Sequence, residues 1–74
     1  MRTVEQLMAV VQHSSFVRID GHMYLIDGYI FEEEEKVVYL LDEDDGDQVM
    51  FDLDDEESIQ EIKNAEFYKL ELIK

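Results

Sequence analysis

The sequence has no cysteine, no proline and no tryptophan, and only three of its 74 residues are glycine. Without cysteine, neither a disulfide framework nor a thiolate metal site can reinforce the fold, which fits a reducing, cytoplasmic compartment. No apolar run approaches a signal-peptide core or the roughly 18 residues of a membrane span, so we expect neither export by that route nor membrane insertion. Basic residues are scarce, with six Lys and Arg against 20 Asp and Glu. Direct nucleic-acid binding is therefore disfavoured, because it depends on basic groups that neutralise phosphates.

The apolar content predicts a folded domain rather than a disordered acidic tail. Hydrophobic residues make up 46% of the chain, which includes four Tyr and four Phe, whereas disordered acidic segments are poor in such residues. Two domains are excluded, because a chain of this length can bury only one core. We therefore predict a single domain over residues 1–74.

The negative charge is concentrated in one stretch, from Asp27 to Glu57. Fifteen of the 20 acids lie there and Lys36 is the only base, so the segment carries 15 − 1 = 14 net negative charges. The rest of the chain has five acids and five bases and is neutral. Selection for solubility would spread carboxylates over the whole surface, so this segregation favours a binding surface. An ordinary solvated acidic face is the alternative.

Hydrophobic periodicity predicts one helix followed by strands. Residues 3–12 place apolar side chains at helical spacing, and Thr3 with Gln6 fits a capping box. The apolar stripe consists of Val4, Leu7, Met8 and Val11. Four stretches rich in Val, Ile, Tyr and Phe predict strands at about residues 16–20, 22–32, 36–44 and 47–54.

A short helical turn and a last strand are predicted near the end of the chain. Asp54 with Glu57 is typical of a helix cap, and the turn would carry Ile59 and Ile62. The apolar residues of the last strand are Tyr68, Leu70 and Leu72. This order of elements resembles that of small Sm-like and SH3-like barrels. The predicted fold is therefore α+β, with an N-terminal helix packed on a five-stranded, mainly antiparallel sheet or small barrel.

Three Asp-Gly pairs predict the turns and bends of the sheet. Asp45-Gly46 is typical of a two-residue type I′ hairpin turn, which needs positive φ at both central positions. That turn sets a register with the pairs Leu40 with Phe51, Val38 with Leu53 and Asp42 with Val49. Asp20-Gly21 is a second turn candidate. Gly28 predicts a bulge, which would move the inward side chains from Tyr24 and Ile26 to Tyr29 and Phe31.

The same register predicts an apolar core face and a mixed outer face on the hairpin. The outer face combines carboxylates with apolar groups, and its residues are Val37, Tyr39, Leu41, Glu43, Gln48, Met50, Asp52 and Asp54. Asp42 and Asp47 fall on the core side of the strands, near their open end. Such an outer face suits a protein partner or, alternatively, a homodimer contact.

The sequence lacks the patterns expected of catalysis or metal binding. With Gly46 at the sixth position of an EF-hand loop, Leu41 and Asp52 would stand where an Asp and a bidentate Glu are required. His13 and His22 lack zinc-ligand spacing, and no Gly-rich phosphate loop occurs. Paired carboxylates are too abundant to indicate glycoside chemistry. We therefore predict a non-catalytic protein without a cofactor or a metal site.

The stretch from Asp27 to Glu57 resembles the charge pattern of small acidic DNA-mimic proteins, which are often phage-encoded. The class includes antirestriction proteins, the inhibitor of uracil-DNA glycosylase, some anti-CRISPR proteins and inhibitors of the histone-like protein HU. The resemblance implies that carboxylates occupy the basic surface of an HU-like protein, a nuclease, or a restriction or CRISPR component, in the host cytoplasm if the chain is phage-encoded. Rows of carboxylates can bind the Arg and Lys that otherwise contact phosphates.

The predicted partner-binding residues combine the acidic runs with two exposed apolar anchors. They are Glu32, Glu33, Glu34, Glu35, Tyr39, Asp42, Glu43, Asp44, Asp45, Asp47, Met50, Asp52, Asp54, Asp55, Glu56 and Glu57. The alternative function is that of an immunity-type or antitoxin-type protein, which neutralises one dedicated basic toxin or nuclease. In that case Tyr39 and Met50 would anchor a specific contact.

Overall fold

The structure, a computed structural model, describes residues 2–69. In chain order its elements are α1 (Val4–Gln12), β1 (Phe16–Ile19), β2 (His22–Phe31), β3 (Lys36–Asp42), β4 (Gln48–Asp52), α2 (Glu56–Ile62) and β5 (Glu66–Tyr68). The strands form one antiparallel sheet in the order β4-β3-β2-β1-β5. The predicted α+β fold, with its helix, its strands and its short second helix, is confirmed.

Helix α1 begins at the predicted capping box. The Thr3 hydroxyl accepts from the Gln6 backbone N–H at 3.2 Å, and the Gln6 side-chain oxygen accepts from the Thr3 N–H at 2.9 Å. These bonds satisfy backbone N–H groups that the start of a helix leaves without partners. Leu7 and Val11 are fully buried, and Met8 packs at the margin of the core. The apolar stripe of α1 therefore covers the sheet, as the periodicity predicts.

The hydrophobic core lies between the two helices and one face of the sheet. Its buried members are Leu7, Val11, Val17, Ile19, Val38, Leu40, Phe51, Leu53, Ile62 and Ala65. The predicted core face of the hairpin is thus confirmed. Val37 is an exception to the predicted outer face, because only 4% of it is exposed. It lies on the interior strand β3 between Ile30 and Asp52, which flank it in the register on both sides.

The type I′ turn lies at Asp20-Gly21 and not at Asp45-Gly46. Asp20 (φ 52°) and Gly21 (φ 77°) both have positive φ and connect β1 to β2, as this turn requires. At Asp45-Gly46 only the glycine has positive φ (75°). Residues 43–46 instead form a longer loop, closed by a hydrogen bond from the Asp42 N–H to the Asp47 carbonyl at 2.8 Å.

The side chain of Asp42 explains the longer loop. Its Oδ1 accepts from the Asp44 N–H at 2.8 Å and from the Asp45 N–H at 3.4 Å, and such side-chain turns compete with tight backbone turns. The predicted register was therefore wrong by two residues. The observed pairs are Val38 with Phe51 and Leu40 with Val49. Because side chains alternate with a period of two, a shift of two residues keeps the paired residues of β3 and β4 on their predicted faces, apart from Val37. Asp47, predicted on the core side, is instead exposed in the loop.

Strand β2 bends at the predicted bulge. Its register with β3 shifts between Ile26 and Gly28. Tyr24 and Ile26 before the bulge, and Phe31 after it, pack against the core. Tyr29 was predicted to point inward, yet it is 43% exposed and stacks on Phe31 with ring centroids 4.6 Å apart. An amphipathic phenol can stay partly in water while its ring covers an apolar neighbour.

Helix α2 begins one residue later than predicted, with Asp55 rather than Asp54 as its N-cap. The Asp54 N–H donates to Asp52 Oδ1 at 2.9 Å, which holds Asp54 in the turn that leaves β4. The Asp55 carbonyl then accepts the first helical bond, from Ile59, at 3.0 Å. Ile62 is fully buried and Ile59 is half-buried, so α2 carries the predicted apolar pair.

Strand β5 pairs with β1, which leaves β4 and β5 at the two edges of the sheet. Within residues 2–69 the sheet is open rather than closed into a barrel. Leu70 and Leu72, predicted to continue the last strand, lie outside the described residues. No helix in the described part of the chain is long and apolar enough to cross a membrane.

Candidate acidic binding surface

The acids between Asp27 and Glu57 fall into two groups at opposite ends of β3. The acidic loop, residues 42–47, follows β3 and contains five acids. The acidic end, residues 32–35 and 52–57, contains nine acids, and Asp27 on β2 is the fifteenth. β3 runs from Lys36 to Asp42, so the two groups lie about 20 Å apart at about 3.3–3.4 Å per residue.

The acidic end brings together two segments that are distant in the chain. The Glu32 N–H donates to the Glu35 carbonyl at 2.7 Å, which closes a tight hairpin with Glu33 and Glu34 at its tip. β4 leaves the sheet beside this hairpin, where the Leu53 N–H donates to the Lys36 carbonyl at 2.7 Å. All nine carboxylates of the acidic end are exposed, apart from half-buried Asp52. The register of β3 and β4 therefore places the four acids of residues 32–35 beside the five acids of residues 52–57.

No Lys or Arg side chain pairs with a carboxylate of either acidic group in the described part of the chain. Lys36 Nζ donates to the backbone carbonyl of Glu33 at 3.0 Å rather than to a carboxylate. Arg2 binds the carbonyls of Lys63 and Ala65. Within residues 2–69 the only ion-pair contacts are those of His22 with two aspartates. The negative charge of both groups is therefore directed to solvent or to a partner.

Asp42 organises the acidic loop and is not presented to a partner. It is only 8% exposed, and its Oδ2 lies 2.8 Å from His22 Nε2 while its Oδ1 binds the loop N–H groups. Burial raises the pKa of Asp42, but the N–H groups of Asp44 and Asp45 and the His22 imidazole outweigh it, so the pKa lies below its usual 3.8. Asp42 is the only buried member of the predicted contact set. Its place in that set is corrected from contact residue to positioning residue.

His22 joins this cluster, which sequence reasoning missed. His22 Nε2 lies 2.8 Å from Asp42 Oδ2 and 3.8 Å from Asp44 Oδ2. The three side chains bring potential metal-ligand atoms within 4.8 Å of one another. The hydrogen bonds of this cluster explain its role, which is to order the acidic loop. We assign no cation to the cluster. Asp42 pairs with Tyr24 in the β2–β3 register, and His22 lies two residues before Tyr24 on the same strand. Only this register could have revealed the contact.

The outer face between the two acidic groups carries one exposed apolar side chain, Met50, beside Tyr39, which was predicted to be exposed but is half-buried. Tyr39 and Met50 are direct partners in the β3–β4 register, and Met50 is 58% exposed. On its other side Tyr39 is paired with Gly28, which has no side chain to cover it. Gln48 on the same face donates to Asp27 at 3.0 Å. The predicted mixed surface is thus an apolar patch with carboxylates beyond both of its ends.

Comparison with protein-family models, curated proteins and solved structures finds no match to this chain. The features that bear on its function are therefore the acidic loop, the acidic end and the outer face between them.

Proposed function

We propose that this chain is a non-catalytic DNA mimic that acts in the cytoplasm, or in the host cytoplasm if it is phage-encoded. It binds the basic DNA-binding surface of a nucleic-acid-binding protein and blocks DNA from that surface. The observation that carries the proposal is the charge segregation. Fifteen acids share Asp27 to Glu57 with a single Lys. Within residues 2–69 no Lys or Arg pairs with any of them, and His22 contacts only Asp42 and Asp44.

The density of the surface charge supports mimicry of a duplex. Subtracting buried Asp42 from the fifteen acids leaves 15 − 1 = 14 carboxylates at the surface. Duplex DNA carries one negative charge per about 1.7 Å of axis, so fourteen charges correspond to about 24 Å of duplex. The shorter dimensions of the protein, 27 and 22 Å, match that length.

Binding would proceed by exchange of phosphates for carboxylates. Arg and Lys side chains that contact phosphates form equally good charge-assisted hydrogen bonds with carboxylates, and Arg can do so with two parallel bonds. Hydrogen bonds fix the backbone of the acidic loop, of the 32–35 turn and of the turn after Asp52. Such preorganisation reduces the conformational entropy that is lost on binding. The mimic therefore competes with DNA for the same basic groups.

Exposed Met50, next to half-buried Tyr39, favours a second candidate, a dedicated inhibitor of one basic toxin or nuclease. A large apolar anchor at the centre of a polar rim is typical of a specific protein interface. Met50, at 58% exposed, has the accessibility that such an anchor needs. The two functions differ in the number of partners and in their dependence on salt.

A DNA-displacement assay separates them. Labelled duplex DNA is bound to several unrelated basic DNA-binding proteins, among them HU, a restriction endonuclease and uracil-DNA glycosylase, and the chain is titrated in. Mimicry predicts displacement from more than one of them, with inhibition that weakens at least about tenfold between about 50 and 200 mM salt. A dedicated inhibitor would act on one partner and persist at the higher salt. Displacement from none of them contradicts mimicry.

A further inference from the structure

A cavity of about 500 Å³ opens between α1 and the tip of the β2–β3 hairpin. Its size lies within the range of about 300–1,000 Å³ that is typical of binding pockets. Its lining includes the apolar residues Met8, Ala9 and Phe31, here called the floor, and the acids Glu5, Glu32 and Glu33, here called the rim. Two of these rim residues belong to the acidic end. The cavity is therefore continuous with the proposed binding surface.

The helix wall of the cavity follows from the period of α1. Glu5, Met8, Ala9 and Gln12 stand at positions i, i+3, i+4 and i+7 and share one helix face. This face adjoins the buried stripe, which is why Met8 is half-buried while Ala9 is exposed. The small side chain of Ala9 leaves the cavity open from the helix side.

Across from α1, the floor residue contributed by β2 is the aromatic Phe31. Phe31 packs against the core from β2, and Tyr29 stacks on it with centroids 4.6 Å apart. Tyr29 is 43% exposed and does not itself line the cavity, so Phe31 is the aromatic ring that an occupant would contact. A large aliphatic or aromatic side chain entering here would contact methionine, alanine and an aromatic ring, with little polar surface to desolvate.

The rim is negative even though Lys36 also lines the cavity. Three carboxylates stand against one ammonium, so the lining carries 3 − 1 = 2 net negative charges. Lys36 Nζ already donates to the Glu33 carbonyl at 3.0 Å, which holds the ammonium at the hairpin tip. The rim thus attracts cationic groups and repels anionic ligands.

We infer that this cavity receives one large apolar side chain of the partner protein, from a segment in which Lys or Arg flanks that side chain. The inference rests on the proposed function, because it assigns the cavity to the same basic partner. The floor accepts the apolar group, while the three rim glutamates pair with the flanking cations. A second copy of the chain suits the cavity poorly, because its net charge of −14 would meet the acidic end with like charge.

The test uses a synthetic peptide in which a central Leu is flanked on both sides by Arg and Lys, and a matched peptide with Ser in place of Leu. Binding is followed by the amide chemical shifts of the ¹⁵N-labelled chain. The Leu peptide should shift residues 5–12 and 31–36, and the Ser peptide should bind about tenfold more weakly because the buried leucine is lost. Equal binding of the two peptides, or shifts elsewhere, would overturn the inference, as would no binding at all.

A plugging variant makes the test independent of peptide design. Ala9→Arg fills the cavity with a cation from an exposed position of α1. Gln60→Arg adds the same charge at an exposed position of α2, away from the cavity. Ala9→Arg should abolish the shifts and Gln60→Arg should keep them, with both variants retaining the wild-type melting transition. Shifts in this region that depend on protein concentration without peptide would show a second copy as occupant and overturn the inference.

Failure of this inference and failure of the proposed function are distinguishable in the DNA-displacement assay. If Ala9→Arg displaces DNA as well as the wild type does, the cavity is not part of the interface, although the acidic surface is. If the wild-type chain displaces no DNA, the proposed function is wrong whatever the peptides show.

Discussion

His22 and Asp42 join two neighbouring strands, with His22 Nε2 2.8 Å from Asp42 Oδ2. The contact ties the start of β2, directly after the Asp20-Gly21 turn, to the base of the acidic loop. Because the other oxygen of Asp42 binds two loop N–H groups, one carboxylate fixes both the sheet register and the loop shape. The positions of the surface carboxylates in the acidic loop therefore depend on the buried carboxylate of Asp42.

Replacing Asp42 by Asn should reveal this role through its pH dependence. The folded-state pKa of Asp42 is lowered, so its ionised form stabilises the fold above about pH 3.8, and that stabilisation is lost as the pH falls through the lower folded-state value. The wild type should therefore be more stable than Asp42→Asn near neutral pH, and the difference should shrink below about pH 3.8. Urea unfolding across that range measures it. Asp45→Asn, at an exposed loop position, is the control and should show a smaller gap.

Gly46→Ala should destabilise the protein by about 1 kcal/mol, because Gly46 has positive φ (75°) and alanine is strained there. Gly28→Ala is the matched control. Gly28 does not have positive φ, and a Cβ at that position would meet nothing within 4 Å. Its effect should stay below about 0.5 kcal/mol. If denaturant unfolding shows that Gly28→Ala lowers the free energy of unfolding more than Gly46→Ala does, the assigned loop geometry is contradicted.

Local patterns predicted most of the fold, and side-chain hydrogen bonds decided the rest. The capping box at Thr3, the bulge at Gly28 and the core face of the hairpin were all readable from spacing and residue type. The β3–β4 register could not be predicted in this way. Asp20-Gly21 and Asp45-Gly46 both fit a type I′ turn, and the hydrogen bonds of the Asp42 side chain are what distinguish the longer loop at Gly46. Charge counting located the candidate surface. It could not show that the surface divides between two ends of β3, or that a cavity adjoins one of them.

Added NaCl should raise the melting temperature. Fourteen surface carboxylates that no Lys or Arg pairs with in the described residues repel one another, and salt screens that repulsion. Thermal unfolding followed by circular dichroism at increasing NaCl measures the effect. Glu34→Lys with Glu43→Lys should reduce the rise, because it places one cation in each acidic group. A flat or falling response of the wild type would show that the carboxylates are too dispersed to form one charged surface.

Met50→Ser distinguishes the two candidate functions. The side chain is 58% exposed, so the free energy of unfolding should change by less than about 0.5 kcal/mol. If binding depends mainly on charge, DNA displacement by the variant should stay within about threefold of the wild type. A loss of tenfold or more, with the fold intact, would instead favour a dedicated partner anchored on the outer face.

The proposed function requires that the position of the carboxylates, and not only the net charge, makes the chain a competitor of DNA. Two double variants test it, Glu34→Lys with Glu43→Lys inside the acidic groups and Glu61→Lys with Glu66→Lys outside them. Each pair changes the net charge from −14 to −10, because every reversal adds two units. All four positions are exposed.

The decisive measurement is the concentration of each variant that displaces half of the duplex DNA from a basic protein the wild type inhibits, at constant salt. The account predicts at least about tenfold weaker displacement for the pair inside the acidic groups, and less than about threefold weakening for the pair outside them. Equal weakening by both pairs, with melting transitions preserved, would contradict it.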